Sequence, residues 1–92
     1  MKVVYTDEAL RDLLDIGAYV AGHYPNIALD VEELLRAIVN RIERWPESAP
    51  EVKDRANVHA VALVHYPYKS FYRIDKDSVE ILYIYHTSRE PR

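Results

Sequence analysis

The side chains best suited to chemistry in this chain are arginines and a histidine in its second half. Arg73 lies within a β-prone run, Arg55 precedes another, and His86 and Arg89 lie at the end of the last one. Arginine binds phosphate through paired hydrogen bonds, and histidine can transfer a proton near neutral pH. Adjacent strands could therefore gather these groups around a phosphodiester. The alternative is structural, with Arg73 facing an acidic side chain and His86 a solvated strand end.

Other kinds of catalytic or metal site are excluded by residue type and spacing. The chain has no cysteine, which excludes disulfides, thiolate zinc and a cysteine nucleophile. Its only glycines, Gly17 and Gly22, belong to a helical pattern and leave no glycine-rich phosphate loop. The four histidines lack the usual metal-ligand spacings. We therefore expect neither a metal nor a cofactor.

The length and composition predict one small domain spanning residues 1–92. Hydrophobic residues make up 49% of the 92-residue chain, an ordinary globular proportion. The net charge of −3 disfavours strong non-specific binding to nucleic acid, which needs clustered cations. No apolar run approaches the ~20 residues of a membrane span, and the N-terminus lacks a signal-peptide core. We expect a cytoplasmic protein that does not contact membranes.

The first half of the chain predicts a strand followed by a pair of antiparallel helices. Val3–Tyr5 is β-prone, and Thr6 can cap a helix that ends near His23. Asn26 can cap a second helix, whose apolar stripe includes Trp45 and which Pro46 ends. Each helix should bury its stripe, because an isolated helix of this length is marginal in water.

The second half predicts three strands, which make the fold class α+β. Alternation of apolar and polar residues indicates strands at 58–64, 68–74 and 78–86. They follow a loop at 46–57, and the pattern does not predict the path of this loop. In the last strand, Val79, Ile81, Tyr83 and Tyr85 are expected on one face and Leu82 and Ile84 on the other. Apolar side chains on both faces predict a central strand. The helices should pack on one face of an antiparallel sheet.

The second half of the chain also resembles a known family. The segment Tyr66-Pro67-Tyr68-Lys69-Ser70-Phe71-Tyr72-Arg73-Ile74, followed by Val79-Glu80-Ile81-Leu82-Tyr83-Ile84-Tyr85-His86 and Arg89, is similar to the C-terminal signature of the ParE/RelE toxin superfamily. The opening Thr6-Asp7-Glu8-Ala9, with Leu13 and Ile16–Tyr19, also matches. The resemblance implies the RelE/ParE-like fold, in which an N-terminal strand and a helical hairpin pack with an antiparallel sheet.

The resemblance implies the toxin of a bacterial type II toxin–antitoxin system, which a cognate antitoxin neutralises in a hetero-oligomer. ParE-like members arrest growth by inhibiting DNA gyrase, whereas RelE-like members cleave mRNA on the ribosome without a metal. A RelE-like mechanism would use Arg73 for phosphate and His86 as acid or base. It would also need lysines or a glutamate in Val58–Val64, which has none, and a tyrosine near the C-terminus, where Thr87 and Ser88 follow His86. The ParE branch is therefore favoured, and no residue is assigned as catalytic.

A second proton-transfer group for that mechanism also has no candidate in the pattern. Alternation points Tyr85 away from His86. Glu80 would share the face of His86, but it lies six residues back on the same strand, about 20 Å away.

Two surfaces are expected to bind partners. Arg73, His86 and Arg89 should meet at one end of the sheet as a cationic patch and, with Arg55, contact the target. An apolar groove beside the helical hairpin should receive the antitoxin; its expected lining residues are Leu14, Val20, Leu34 and Ile38.

Overall fold

The computed structural model describes residues 1–89, without the side chain of Arg89, and it confirms the α+β fold. The strands are β1 (Lys2–Tyr5), β2 (Val58–Ala62), β3 (Tyr68–Ile74) and β4 (Ser78–His86), and the helices are α1 (Asp7–His23) and α2 (Ala28–Arg44). Short 3₁₀ helices cover Pro25–Ile27 and Thr87–Arg89. The predicted strand, helical pair and three further strands are all present.

The helix termini explain where α1 and α2 begin and end. Thr6 caps α1 as predicted, because its side-chain oxygen accepts a hydrogen bond from the N–H of Ala9. The prediction that Asn26 caps α2 is wrong. Asn26 lies inside the first 3₁₀ helix, and α2 then starts at Ala28 with no side-chain cap. A proline at the start of that 3₁₀ turn has the right backbone angle for it.

The four strands form one sheet in the order β1-β4-β3-β2. β4 is central, as predicted; β1 pairs with it in parallel and β3 in antiparallel orientation. β2 lies at the edge and pairs with β3 alone among the strands. We call the side of the sheet that packs on the helices the helix face and the opposite side the outer face.

The helix face carries the main core and the outer face a smaller one. The main core joins α1 and α2 to Tyr72, Val79 and Ile81. The outer-face cluster consists of Val58, Phe71 and Tyr85, with four half-buried side chains packed against it: Val52, Ala60, Leu82 and Tyr83. Because both faces are apolar, β3 and β4 are buried from two sides.

A bulge between β3 and β4 corrects the predicted faces of β4. Phe71 pairs with Tyr83, whereas the next residue, Tyr72, pairs with Ile81, so β4 contains one extra residue. Leu82 and Tyr83 therefore both join the outer-face cluster, and Ile84 returns to the main core. Val79 and Ile81 lie on the helix face, opposite to Tyr83 and Tyr85.

Trp45 is exposed, although the helical pattern places it in the buried stripe of α2. Its side chain follows the end of the helix and is 59% exposed, with the guanidinium of Arg44 over the indole ring at 5.3 Å. Beyond the helix end the 3.6-residue period no longer fixes the direction of a side chain, which is why the stripe misplaces it.

Candidate functional site

The predicted cationic patch is wrong in its geometry, because Arg73 and His86 lie at opposite ends and on opposite faces of the sheet. Along the ladder between β3 and β4, Arg73 is paired with Glu80 and Tyr68 with His86. Five residues of strand separate these two pairs, which amounts to about 17 Å. The bulge also changes the direction of the side chains between Glu80 and His86. Glu80 therefore does not share the face of His86, and the side chain of Arg89 lies outside what the structure describes.

Arg73 faces an acid across the sheet, as the structural alternative predicted. Its guanidinium lies 3.8 Å from a carboxylate oxygen of Glu80, and both side chains are nearly half exposed. Cross-strand pairs of opposite charge at this exposure contribute little stability. The side chain of Arg73 remains 48% exposed on the outer face.

Arg55 reaches the same outer face from the loop before β2. Its guanidinium donates a hydrogen bond to the hydroxyl of Tyr83 and lies 5.7 Å from the centre of that ring. Tyr83 stacks on Phe71 with ring centres 4.9 Å apart, and Phe71 stacks on Tyr85 at 5.2 Å. These three rings form an aromatic ladder across β3 and β4. The ladder therefore places Arg55 on the same face as Arg73.

The loop before β2 folds against the sheet and partly covers the ladder. The N–H of Val52 donates to the carbonyl of Val58 over 2.7 Å, and Val52 packs on the outer-face cluster. Glu51 accepts a hydrogen bond from the N–H of Asn57, which has a positive φ of 63°. Asparagine tolerates this left-handed conformation better than most residues. The loop thus closes the outer face at the side where β2 contributes only small apolar side chains.

His86 lies on the helix face, in a cleft between α1 and the end of β4. Its ring contacts Tyr68 edge-to-face with centres 5.4 Å apart, and its Nδ1 accepts a hydrogen bond from the N–H of Ser88 over 3.1 Å. Asp12 and Asp15 line the same cleft. The carboxylate of Asp12 also accepts a hydrogen bond from the N–H of Ile84 at 2.9 Å. The pairing of β1 with β4 ends at Ile81, so this side chain supplies the partner that β1 no longer provides. Acidic groups, and not arginines, are the charged neighbours of His86 among the described side chains.

A groove opens between α1 and α2 and reaches the sheet. Its cavity volume is about 450 Å³, and Gly17 and Ala21 of α1 face Leu35 and Val39 of α2 across it. A Cβ atom added at Gly17 would meet no atom within 4 Å, so the groove is open above this residue. Glu32 and Arg36, paired at 2.8 Å, lie at its rim.

The four residues expected to bind the antitoxin are distributed unevenly around this groove. Val20 and Ile38 line it, although Val20 is only 3% exposed. Leu34 lines a smaller pocket between α2 and β2, together with the other side of Ile38. Leu14 is 75% exposed and lies outside the lining. The sequence-based list of groove residues lacks Gly17, where the absence of a side chain leaves the groove open. The spacing of Gly17 and Ala21, four residues apart, places two small residues on one face of α1, and this pattern could have predicted the groove.

The described part of the chain contains neither a cluster of metal ligands nor a membrane-spanning helix. Within residues 1–89, no group of three or more histidine, aspartate or glutamate side chains is placed to hold a metal ion. Neither helix of this part combines the length and apolar character needed to cross a membrane.

Comparison with known proteins relates this architecture to toxins. A family model described as the ParE toxin of the type II toxin–antitoxin system parDE matches residues 3–91. None of the curated proteins matches the chain significantly. A solved structure of the chromosomal ParDE system from P. aeruginosa is similar with a TM-score of 0.79 and 20% identity, covering 94% of this chain and 95% of that one. The isolated E. coli RelE toxin is similar with a TM-score of 0.69 and 16% identity, covering 97% of this chain and 86% of that one.

Proposed function

Because the chain belongs to the ParE toxin family of type II toxin–antitoxin systems, we propose that it acts by binding and inhibiting DNA gyrase. The observation that carries this choice over RNA cleavage is the separation of Arg73 from His86. About 17 Å of strand and the thickness of the sheet lie between the two side chains. A single phosphodiester cannot contact both.

Metal-free cleavage of RNA needs a base for the 2′-hydroxyl, an acid for the leaving oxygen and a cation for the phosphate, all within hydrogen-bond reach. On the outer face, Arg55 and Arg73 offer cations, but the nearby proton-transfer candidates are already engaged with them: Glu80 pairs with Arg73, and the hydroxyl of Tyr83 accepts a hydrogen bond from Arg55. In the cleft on the helix face, His86 has Asp12 and Asp15 beside it and no described cation among the lining residues. Neither surface combines the three roles.

The target surface that we propose is the outer face around Arg55 and Arg73. Both guanidinium groups lie there beside the aromatic ladder, and cations next to aromatic rings are common anchors of protein interfaces. His86 lies elsewhere, so its contact with the target, like that of Arg89, stays a separate prediction.

The antitoxin partner is proposed to lay an amphipathic helix in the groove between α1 and α2. The groove is apolar along its floor, and its rim carries one charge of each sign in Glu32 and Arg36. A helix with an apolar stripe fits such a surface. This places the neutralising partner on the helix face and the target on the outer face.

The test compares the two activities of one purified preparation. The protein is added to gyrase with relaxed plasmid and, in parallel, to translating ribosomes with a labelled transcript. Inhibited supercoiling or accumulated cleaved plasmid, with an intact transcript, is expected. Ribosome-dependent cleavage of the transcript that is lost in His86→Ala, with unaffected gyrase, would overturn the proposal and favour a RelE-like nuclease.

A further inference from the structure

The segment Tyr66-Pro67-Tyr68, which takes no part in the proposed function, forms one wall of a pocket lined by tyrosines. This pocket lies between that segment, the end of α1 and the start of α2, and its volume is about 270 Å³. We call it the tyrosine pocket; its aromatic walls are Tyr19, Tyr24, Tyr66, Tyr68 and His86. Tyr19 and Tyr24 are 49% and 52% exposed, so these two rings are accessible to a partner.

Backbone hydrogen bonds hold the Tyr66–Tyr68 wall in place. The N–H of Tyr68 donates to the carbonyl of Tyr66 at 2.9 Å, and the carbonyl of Pro67 accepts the N–H of Thr87 at 2.8 Å. His65, just before the wall, has a positive φ of 72°, which is uncommon outside glycine. Such a conformation persists only where surrounding contacts fix it. The wall is therefore fixed before a partner binds.

The tyrosine pocket adjoins the acidic cleft beside His86. Both linings include the rings of Tyr19, Tyr68 and His86, and the cleft has a volume of about 520 Å³. One carboxylate oxygen of Asp12 is bonded to the backbone of β4, and the other makes no hydrogen bond within residues 1–89. Asp15 is exposed at the cleft, and its carboxylate has no partner in that same range. Carboxylate oxygens therefore lie next to the aromatic walls with capacity to accept hydrogen bonds.

The chemistry of the two linings favours a planar cation. They contain two carboxylates and, among the described residues, neither arginine nor lysine. Aromatic ring faces attract cations, and a guanidinium group also stacks on them because it is planar and weakly hydrated. The same group donates paired hydrogen bonds to carboxylates. A nucleotide base could stack on the rings too, but the carboxylates would repel its phosphate.

We propose that the tyrosine pocket and the acidic cleft together bind an arginine side chain of a partner protein. The guanidinium group stacks on Tyr19, where the two cavities meet, and donates hydrogen bonds to Asp12 and Asp15. The apolar part of the bound segment lies against Tyr24 and Tyr66. This inference goes beyond the proposed function, because it requires neither gyrase nor the antitoxin as the source of the arginine.

Three blocked tripeptides test the chemistry of the site. Alanine–arginine–alanine is titrated into the isotope-labelled protein and followed by NMR; citrulline in place of arginine is the neutral control of the same shape, and lysine is the control of the same charge. The arginine peptide should bind with a Kd of about 1 mM and shift the signals of Asp15, Tyr19 and Tyr24. The citrulline peptide should bind about tenfold more weakly and the lysine peptide about threefold more weakly.

Two matched pairs of variants locate the site. Asp15→Asn should weaken binding of the arginine peptide about fivefold, whereas Asp77→Asn, the same change in the β3–β4 turn, should leave it unchanged. Tyr24→Leu should weaken binding about threefold, and Tyr24→Phe, which keeps the aromatic ring, should bind as the parent does. Unchanged NMR signals of the buried Tyr72 show that each variant is folded.

Several results would overturn this inference. They are equal affinity of the arginine and citrulline peptides, parental affinity in Asp15→Asn or Tyr24→Leu, signal changes confined to the outer face, and no binding of the arginine peptide up to about 20 mM. Adenosine monophosphate is the opposing probe. If it binds at Tyr24 more tightly than the arginine peptide, the pocket is a nucleotide site and not an arginine site. None of these results bears on gyrase inhibition or antitoxin binding, which are measured separately.

Discussion

The two faces of the sheet are built from similar side chains but are closed in different ways. On the helix face, α1 and α2 cover the core yet leave a groove of about 450 Å³ between them. On the outer face no helix of residues 1–89 is packed; the aromatic ladder, Arg55 and the loop before β2 cover the sheet. The helix face therefore offers a groove lined mainly by apolar side chains, and the outer face an aromatic ladder with two guanidinium groups beside it. An apolar groove suits an amphipathic helix, and tyrosine, phenylalanine and arginine side chains are enriched at the interfaces of folded proteins.

The two faces give one small domain two separate surfaces for the two proposed partners. The four strands form one sheet, so side chains on its two faces are separated by the thickness of a single layer. The two faces also carry different charged groups: Arg55 and Arg73, the latter paired with Glu80, lie on the outer face, whereas Asp12 and Asp15 line the cleft on the helix face. Exposed residues on one face can therefore be substituted without altering the other face, provided that the core between them stays packed.

The largest expected effect is the loss of stability when Tyr72, on the helix face of the sheet, is replaced. Tyr72 is fully buried, donates its hydroxyl to the carbonyl of Pro46 at 2.6 Å and stacks on His59. Tyr72→Ala should lower the free energy of unfolding by about 3–5 kcal/mol, because it leaves a cavity and an unpaired carbonyl. Tyr83→Ala, on the half-exposed ladder, should cost clearly less. Urea denaturation of both variants measures the difference; equal losses would contradict the unequal burial of the two faces.

The next effect is on binding in the helical groove. Gly17→Leu should fill the space above this residue and weaken antitoxin binding by about tenfold or more, that is about 1.4 kcal/mol. Gly22→Leu is the matched control, because it adds the same side chain to the same helix in open space outside the groove lining. Calorimetric titration with the antitoxin compares them. Equal affinities would place the antitoxin elsewhere.

A smaller effect is the dependence of stability on alkaline pH. Burial raises the pKa of Tyr72 and that of Tyr5 above the ordinary 10.0, because the low-dielectric interior disfavours the phenolate. The pKa of each tyrosine is therefore higher in the folded protein than in the unfolded chain. Below pH 10 both states keep the phenol protonated, so the free energy of unfolding is not reduced. As the pH rises above 10, the unfolded chain loses these protons first, and the free energy of unfolding falls. The loss should reach at most about 1.4 kcal/mol per pH unit for each tyrosine. In Tyr72→Phe, denaturation midpoints measured from pH 9 to 11 should fall less steeply; an unchanged slope would contradict this cause.

The smallest effect concerns the pair of Arg73 and Glu80. Because both side chains are nearly half exposed and 3.8 Å apart, Arg73→Ala should change the free energy of unfolding by no more than about 0.5 kcal/mol. Thermal denaturation measures it. A loss above 2 kcal/mol would mean that this pair holds the outer face together and is not free to contact a target.

The sequence predicts the elements of this fold well, because each depends on a local pattern. Thr6 with Ala9 marks the start of α1, and Pro46 ends α2, each through backbone chemistry within a few residues. The pairing of Arg73 with an acid was one of two alternatives that the residue types left open, and the register of β3 and β4 supplies Glu80 as its partner.

The candidate site could not be predicted so well, because it depends on register. One extra residue in β4 moves every later side chain to the opposite face, and residue types do not reveal that bulge. The bulge puts His86 on the face opposite to Arg73. The antiparallel hairpin separately puts Arg73 next to the turn between β3 and β4 and His86 at the far end of β4, so the two side chains do not meet in the expected patch. The position of Arg55 depends on a loop that pairs with β2 through backbone groups, and no residue pattern encodes those contacts.

The most direct measurement is a cross-comparison of one variant from each face in both binding assays. Arg55→Ala/Arg73→Ala should lose inhibition of gyrase supercoiling and bind the antitoxin with the affinity of the parent. Gly17→Leu should retain gyrase inhibition and bind the antitoxin weakly. If each folded variant loses both properties together, or if the double variant inhibits gyrase as well as the parent does, the assignment of the two partners to opposite faces of the sheet is contradicted.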